Sequence, residues 1–266
     1  MTRFQKSFRA VFVCLLIGGL AACGKAPVGS ASGCSGPEPE YVVGTDAHYA
    51  PFEDVDPSSR IRGFDVDLLN AIAAKSCFKV KFVDTPWDRL FASLQQGNLA
   101  ILASSISITP DRLKMMDFSD PYFLSRQMIV VGKHEEDIRS FNDIVDKRVA
   151  VQTDTTGDVF VQTLLGKDNP RIHRFVSMSG ALLSLESGEV DAVVGDSGLV
   201  THYVKTHRQS GVYAMQDTGQ AAPEYYGFAV RKGNQALLEQ INRGLAEVKK
   251  NGSYDTLYRL YFGPGG

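Results

Sequence analysis

The chain has 266 residues, 44% hydrophobic and 22% charged, ordinary values for a globular protein of one large domain or two modest ones. Its formal net charge of −2, with no basic cluster, argues against a nucleic-acid partner.

The first residues read as an address. Arg3, Lys6 and Arg9 form a basic stretch, and the apolar run from Ala10 to Leu20 is too short to span a bilayer stably. Leu20-Ala21-Ala22-Cys23 resembles a bacterial lipobox. Residues 1–22 are therefore expected to be a lipoprotein signal peptide, with acylation on Cys23; an ordinary secretory signal with an incidental Cys23 is the alternative. Residues 23–40 are rich in Gly, Ser, Ala and Pro and read as a lipid-anchored flexible linker. The mature chain would sit in the periplasm or at the cell surface, membrane-anchored. Of the other cysteines Cys14 falls in the signal. Cys34 precedes the first strand and Cys77 ends the first helix, so a disulfide between them is possible in an oxidising compartment.

From Tyr41 strand and helix alternate. Tyr41–Thr45 reads as a strand; Phe64, Leu68, Leu69 and Ile72 form a helical face; Val80–Val83 is a strand. Trp87, Leu90, Phe91 and Leu94 form the next helical face, and Leu99–Ala103 is a buried strand. The same order resumes with strands at 147–152, 172–176 and 190–194 and helices at 159–165, 181–186 and 199–205. Two amphipathic helices, 236–250 and 254–261, close the chain. This is α/β order, with helices on both faces of parallel strands.

Ser93-Leu94-x-x-Gly97-x-Leu99-x-Ile101-Leu102 matches Ser184-Leu185-x-x-Gly188-x-Val190-x-Ala192-Val193 at an offset of 91 residues. Carried forward, that offset sets Ser105 opposite Asp196. A weaker echo relates Val43-Gly44-Thr45-Asp46 to Val151-Gln152-Thr153-Asp154. Two similar α/β lobes are the simplest explanation. Ligands in such sheets sit at the carboxyl ends of the strands. The cleft would then be lined by Asp46, Ser104 to Ser107 and Arg112 on one side, and by Thr153 to Thr156 and Asp196 on the other.

Thr109-Pro110 is a helix start, Thr as N-cap and Pro at the first helical position. Arg112 then stands at the positive end of the helix dipole, where a cation is disfavoured. Either a bound anion compensates it, with Ser104, Ser105 and Ser107 assisting, or Asp111 or Asp117 pairs with it and the serines are a plain turn. An Arg with hydroxyls suits a carboxylate, and Asp196 across the cleft suits an ammonium: the head group of an α-amino acid. The further acid Asp46 favours a cationic or amide-bearing side chain, with Tyr49 and Trp87 as walls. Trp87 is equally in phase with the core, and Asp46 could be a turn residue. The five histidines show no metal spacing, and no hydrolase, P-loop or dinucleotide motif is present. Neither a cofactor nor a metal is expected.

The mature chain resembles the periplasmic amino-acid-binding proteins of ABC importers, the polar amino-acid group (solute-binding protein family 3). The resemblance rests on Thr45-Asp46-x-x-Tyr49-x-Pro51-Phe52-Glu53, Gly63-Phe64-Asp65-Val66-Asp67-Leu68, the stretch Ser104 to Arg112, Asp117-Phe118-Ser119-x-Pro121-Tyr122, and the terminal Asn251-Gly252-Ser253-Tyr254 with Tyr261-Phe262-Gly263. It implies the type II binding-protein fold: two Rossmann-like lobes, a cleft between them and a two-strand hinge near Met128–Val131 and Glu224–Gly227. Residues 41–131 plus 225–266 would form lobe 1 and 132–224 lobe 2. It also implies that Arg112 clamps the ligand carboxylate, with Ser107, Thr155 and Thr156 nearby, and that Asp196 and Ser105 hold the ammonium. Tyr49 and Trp87 would flank the side chain, and Asp46 and Ser104 would meet its polar end. The Ser-Ser-Ile-Ser form is most similar to members binding lysine, arginine, ornithine or histidine, although glutamine binders share the acid at Asp46. Asp154 stands where the family usually has Gly, and Gly195 where a larger side chain is common. A free amino acid, the permease subunits and the membrane would be the partners of a monomeric receptor. An enzyme similar to cyclohexadienyl dehydratase is the competing function on this fold.

Overall fold

The computed structural model describes residues 34, 36–132, 134–135, 137–207, 212–215 and 220–263. The expected signal peptide, Cys23 and the linker up to residue 33 lie outside these residues. Among the described residues no helix is long and apolar enough to cross a membrane.

Two five-stranded sheets share one plan. In the first the order is Lys79–Asp84, Glu40–Thr45, Ile101–Leu102, Ala229–Arg231, Met116–Phe118. In the second it is Ile172–Phe175, Val149–Gln152, Ala192–Asp196, Gln127–Val131, Tyr213–Met215. In each, the first three strands are parallel and the fourth runs antiparallel to both neighbours. The helices between parallel strands cover both faces, because strand residues alternate sides. Val43 and Ile101 pack under the helix Phe64–Ser76, whereas Leu102 packs with Trp87, Leu90 and Leu94 of the helix Trp87–Gln96.

The lobes are joined by two short strands, Phe123–Ser125 and Glu224–Tyr226, which pair antiparallel with each other. Each leads directly into the antiparallel strand of the opposite sheet. The crossing therefore comes earlier than expected on the first segment. Gln127–Val131 lies wholly in the second sheet, hydrogen-bonded between Ala192–Asp196 and Tyr213–Met215, and is neither hinge nor part of the first lobe. An apolar run reads as a strand, but its partners decide which sheet it enters.

The 91-residue repeat corresponds to matching helix–Gly–strand units in the two sheets. The weaker echo is shifted by two residues. Val43 pairs with Ile101 and Val149 with Ala192, so Val43 corresponds to Val149 and Asp46 to Gln152 rather than Asp154. The strand expected at Leu99–Ala103 shrinks to Ile101–Leu102, and its flanks are hydrogen-bonded as loop. Cys34 and Cys77 are joined by a disulfide at the end of the first lobe remote from the cleft.

Candidate functional site

The first-lobe half of the site is a loop held from below. Ser105 has φ +51°, a left-handed conformation uncommon for a residue with a Cβ. Its N–H donates to Asp65 Oδ2 at 2.8 Å, and the Tyr122 hydroxyl donates to the same oxygen at 2.6 Å. The Gly-Phe-Asp and Asp-Phe-Ser-x-Pro-Tyr motifs thus meet under the loop and hold it in this conformation. Glu53, fully buried, accepts from Ser104 Oγ at 3.1 Å and Ser105 Oγ at 3.3 Å. Burial pushes the Glu53 carboxyl well up, and the neighbouring Asp65 pushes it further. Burial alone raises Asp65 to about 7, against the hydrogen bonds it accepts.

Thr109 caps the short helix Pro110–Met115 by accepting from the Arg112 N–H at 3.2 Å. Arg112 is buried, 9% exposed. Neither expected acid serves it: Asp111 pairs with Lys114 and Asp117 with Lys232. Its guanidinium instead lies 5.3 Å from the Trp87 ring and 5.4 Å from the Phe91 ring, and donates to the Ser107 carbonyl at 3.0 Å. Burial lowers its pKa; the more distant charges of Asp196 and Glu224 oppose that. Arginine remains charged in such surroundings. Among the described residues it makes no ion pair. Its planar face is covered by these rings, and the residue lines the cleft.

The second-lobe half begins at the helix Thr156–Leu165, where Thr155 caps by accepting from the Asp158 N–H at 3.2 Å. Asp196 is the N-cap residue of the helix Ser197–Thr206, yet its side chain makes no capping bond. An Asp in that position normally caps. Here the carboxylate turns instead toward the cleft. It accepts from Gln127 Nε2 at 2.6 Å and from the Tyr49 hydroxyl, in the opposite lobe, at 2.8 Å. Burial and the nearby Glu224 charge push Asp196 up to about 6, against these hydrogen bonds.

Tyr49, Trp87, Ser104, Ser105, Ser107, Arg112, Thr155, Thr156 and Asp196 line one cavity, together with Glu53 and Gln152. The lobes are closed on it, leaving a volume of about 20 Å³. Trp87 serves both core and cleft. Asp46 is the exception. Its carboxylate is at the rim, accepting from Gln152 Nε2 across the lobes at 3.0 Å, and Glu53 occupies the wall expected of it. Asp46, His48 and Asp84 offer ligand atoms within 4.8 Å of one another, a grouping with two exposed members that we assign no role. Asp154 is exposed with φ +59°, so the usual Gly answers a backbone need and Asp154 adds no charge to the cavity. At Gly195 a Cβ would lie 3.0 Å from the Met178 methyl, which fills the space of a larger side chain.

Gln127, Gln152 and Glu224 escaped the sequence reading as site residues, and Glu53 entered it only as an acid near the cleft in the Pro51-Phe52-Glu53 motif. Glu224 sits on a hinge strand and accepts from Ser107 Oγ at 2.6 Å and Gln127 Nε2 at 3.0 Å. The one available signal was Glu53, a charged residue directly after an apolar Pro-Phe pair.

The model of the bacterial extracellular solute-binding proteins, family 3, matches residues 41–264. The chain belongs to this family. Among the relatives of this family-3 protein is the "Probable histidine-binding protein" of Neisseria gonorrhoeae, 39% identical over 98% of this chain and 97% of the relative. The "ABC transporter arginine-binding protein 1" of Escherichia coli is 31% identical over 82% and 89%. Among solved structures, the arginine-, lysine-, histidine-binding protein of Geobacillus stearothermophilus superposes with a TM-score of 0.82 at 36% identity, covering 85% of this chain and 96% of that one. The family-3 protein thus has the type II periplasmic binding-protein fold.

Proposed function

We propose that this protein is the extracytoplasmic receptor of an ABC importer for cationic L-amino acids, arginine, lysine, ornithine or histidine. It closes on the ligand and delivers it to a permease, and it is tethered to the membrane as a monomeric lipoprotein through Cys23. The observation that carries the ligand class is charge imbalance. Glu53 and Asp196 line the cleft, Asp46 and Glu224 are hydrogen-bonded to its lining residues Gln152 and Ser107, and Arg112 is the cation among them. A zwitterion uses Arg112 and Asp196 and leaves the excess of acid untouched. A cationic side chain lying between Tyr49 and Trp87 toward Glu53 relieves it. Relatives named for histidine and arginine binding support the same class.

Because the closed cavity, at about 20 Å³, is far below the roughly 300 Å³ or more usual for a ligand pocket, the lobes must part for any amino acid to enter. Ligand contacts to both lobes then favour closure. A neutral amide ligand is the second reading. A protonated Glu53 could donate to a glutamine side chain, and an ancestral arginine-binding protein, 40% identical, has been solved with glutamine bound. The relative described as a precursor of cyclohexadienyl dehydratase keeps the enzyme in view. We read the site as non-catalytic, since Glu53 and Asp65 are each engaged in holding the serine loop.

Calorimetry with the twenty amino acids, ornithine and cystine tests the ligand class. Micromolar or tighter binding of arginine, lysine, ornithine or histidine is expected. Tight binding of neutral ligands alone, or turnover of prephenate or arogenate, refutes the reading.

A further inference from the structure

Gln127 is the first residue after the chain crosses between the lobes, at the start of the strand Gln127–Val131. It is 2% exposed and does not line the cavity. Its side-chain nitrogen lies 2.6 Å from Asp196 Oδ1, 3.0 Å from Glu224 Oε1 and 3.2 Å from Thr156 Oγ1. An amide has two hydrogens to give, and the two carboxylates hold the shorter contacts. The amide orientation follows from its neighbours. Turned over, it would aim its own oxygen at two acids. As it stands, Oε1 is buried without a hydrogen-bond partner, an unfavourable arrangement. It fits because residue 157 is Gly: a Cβ there would stand 2.9 Å from Oε1.

Glu224 extends the connection. Its second oxygen accepts from Ser107 Oγ, and the Ser107 carbonyl accepts from Arg112. One hydrogen-bonded run therefore passes from Arg112 through Ser107, Glu224 and Gln127 to Asp196, and on to Tyr49. It links the cationic half of the cleft in one lobe with the anionic half in the other, and it passes through a hinge strand.

We propose that Gln127 is a positioning residue for ligand binding, holding Asp196 turned into the cleft and tying it through the hinge acid Glu224 to the loop that carries Ser107 and Arg112. This rests on reading the cleft as an amino-acid site. Asp196 faces Tyr49 from the first lobe, Glu224 and Tyr226 from the hinge strand and Gln127 from its neighbouring strand, with Arg112 at longer range. Glu224 opposes its ionisation, and the amide between the two acids offsets that repulsion. Without the amide the carboxylates face each other, so Asp196 takes up a proton more readily and loses one of the bonds that fix its orientation.

Two measurements test this. The first needs no ligand. Titration of the Asp196 carboxyl by carbon-13 NMR, in the wild type and in Gln127→Met, should show the midpoint raised by about one pH unit or more in the variant. An unchanged midpoint overturns the proposal. The second compares arginine with 5-guanidinopentanoic acid, which lacks the α-ammonium. Gln127→Met should weaken arginine by about tenfold or more and leave the desamino analogue almost unaffected. Equal losses for both ligands would mean general damage and refute a positioning role. Gln127→Glu, which keeps the length but adds an acid, should steepen the pH dependence of arginine affinity; a profile parallel to the wild type counts against the proposal. Failure of the wild type to bind arginine would refute the ligand class, while the NMR titration still decides the role of Gln127.

Discussion

The two lobes have the same strand order and place equivalent loops at the cleft, but they use opposite chemistry there. At the repeat-related positions the first lobe presents Ser105 and the second presents Asp196. In the first, neutral hydroxyls form most of the wall with Glu53 bonded to two of them, and the buried acid Asp65 stands behind the loop. In the second, the acid is at the front and a neutral amide, Gln127, stands behind it. The shared scaffold supplies position alone. Charge is set by single residues at strand ends, where one substitution leaves the sheet intact. The lobes also differ in how they use helix starts. Thr109 and Thr155 cap their helices, whereas Asp196 forgoes its cap in order to face the cleft.

The largest test of this asymmetry removes its one cation. Arg112→Ala leaves a ligand carboxylate against acids with no guanidinium, and calorimetry should find affinity for any α-amino acid reduced by about a hundredfold or more. Near-normal affinity would mean that the first lobe does not bind the carboxylate. Making the second lobe resemble the first, by Asp196→Ser, should cost about 2–4 kcal/mol of binding energy through the lost ammonium contact. The same variant should bind the desamino analogue as the wild type does. Glu53→Gln should weaken a cationic ligand by about tenfold while a neutral one changes little, and Asp46→Asn, at the rim, should do the same to a smaller degree. Equal effects on glutamine and arginine would break the assignment of the acid wall to a cationic side chain.

The pH dependence is opposite for stability and for binding. Folded Asp196 titrates at about 6 and Asp65 at about 7, both above the ordinary 3.8. The folded state then holds more protons than the unfolded state between these values. The unfavourable contribution of these acids is absent below pH 4. It develops as pH rises above about 4 and is complete near 6 for Asp196 and near 7 for Asp65, so ligand-free stability from these groups falls across that window. A ligand ammonium favours ionised Asp196. Affinity should therefore rise with pH through about 6, with proton release visible as a buffer-dependent enthalpy in calorimetry. A flat profile from pH 5 to 8 would remove Asp196 from the ligand contacts. The smallest effect belongs to the cap of the first-lobe helix: Thr109→Ala should cost ~1 kcal/mol in denaturant unfolding.

Local signals were legible. The caps at Thr109 and Pro110, the alternation of strand and helix, the 91-residue repeat and the misplaced charge of Arg112 depend on residues close in sequence. The Asp46 echo was misaligned because its two strands share little beyond composition, and only the hydrogen-bonded ladders show the two-residue shift. Asp46 looked like the wall residue because it follows a strand end, where ligands bind. The turn after it directs the carboxylate to the rim, and Glu53 arrives from a separate hairpin.

By itself the sequence determined the elements, the pairing of Ser105 with Asp196 across two lobes, and the presence of an arginine that its own helix does not favour. These follow from propensity, capping and periodicity, which act over a few residues. Tertiary structure decided which sheet Gln127–Val131 joins, and it brought Glu53, Gln127, Gln152 and Glu224 to one place. Their side-chain hydrogen bonds span 24 to 117 residues of chain. A strand's pattern states which side chains point inward; what they meet there depends on how the other lobe packs against them.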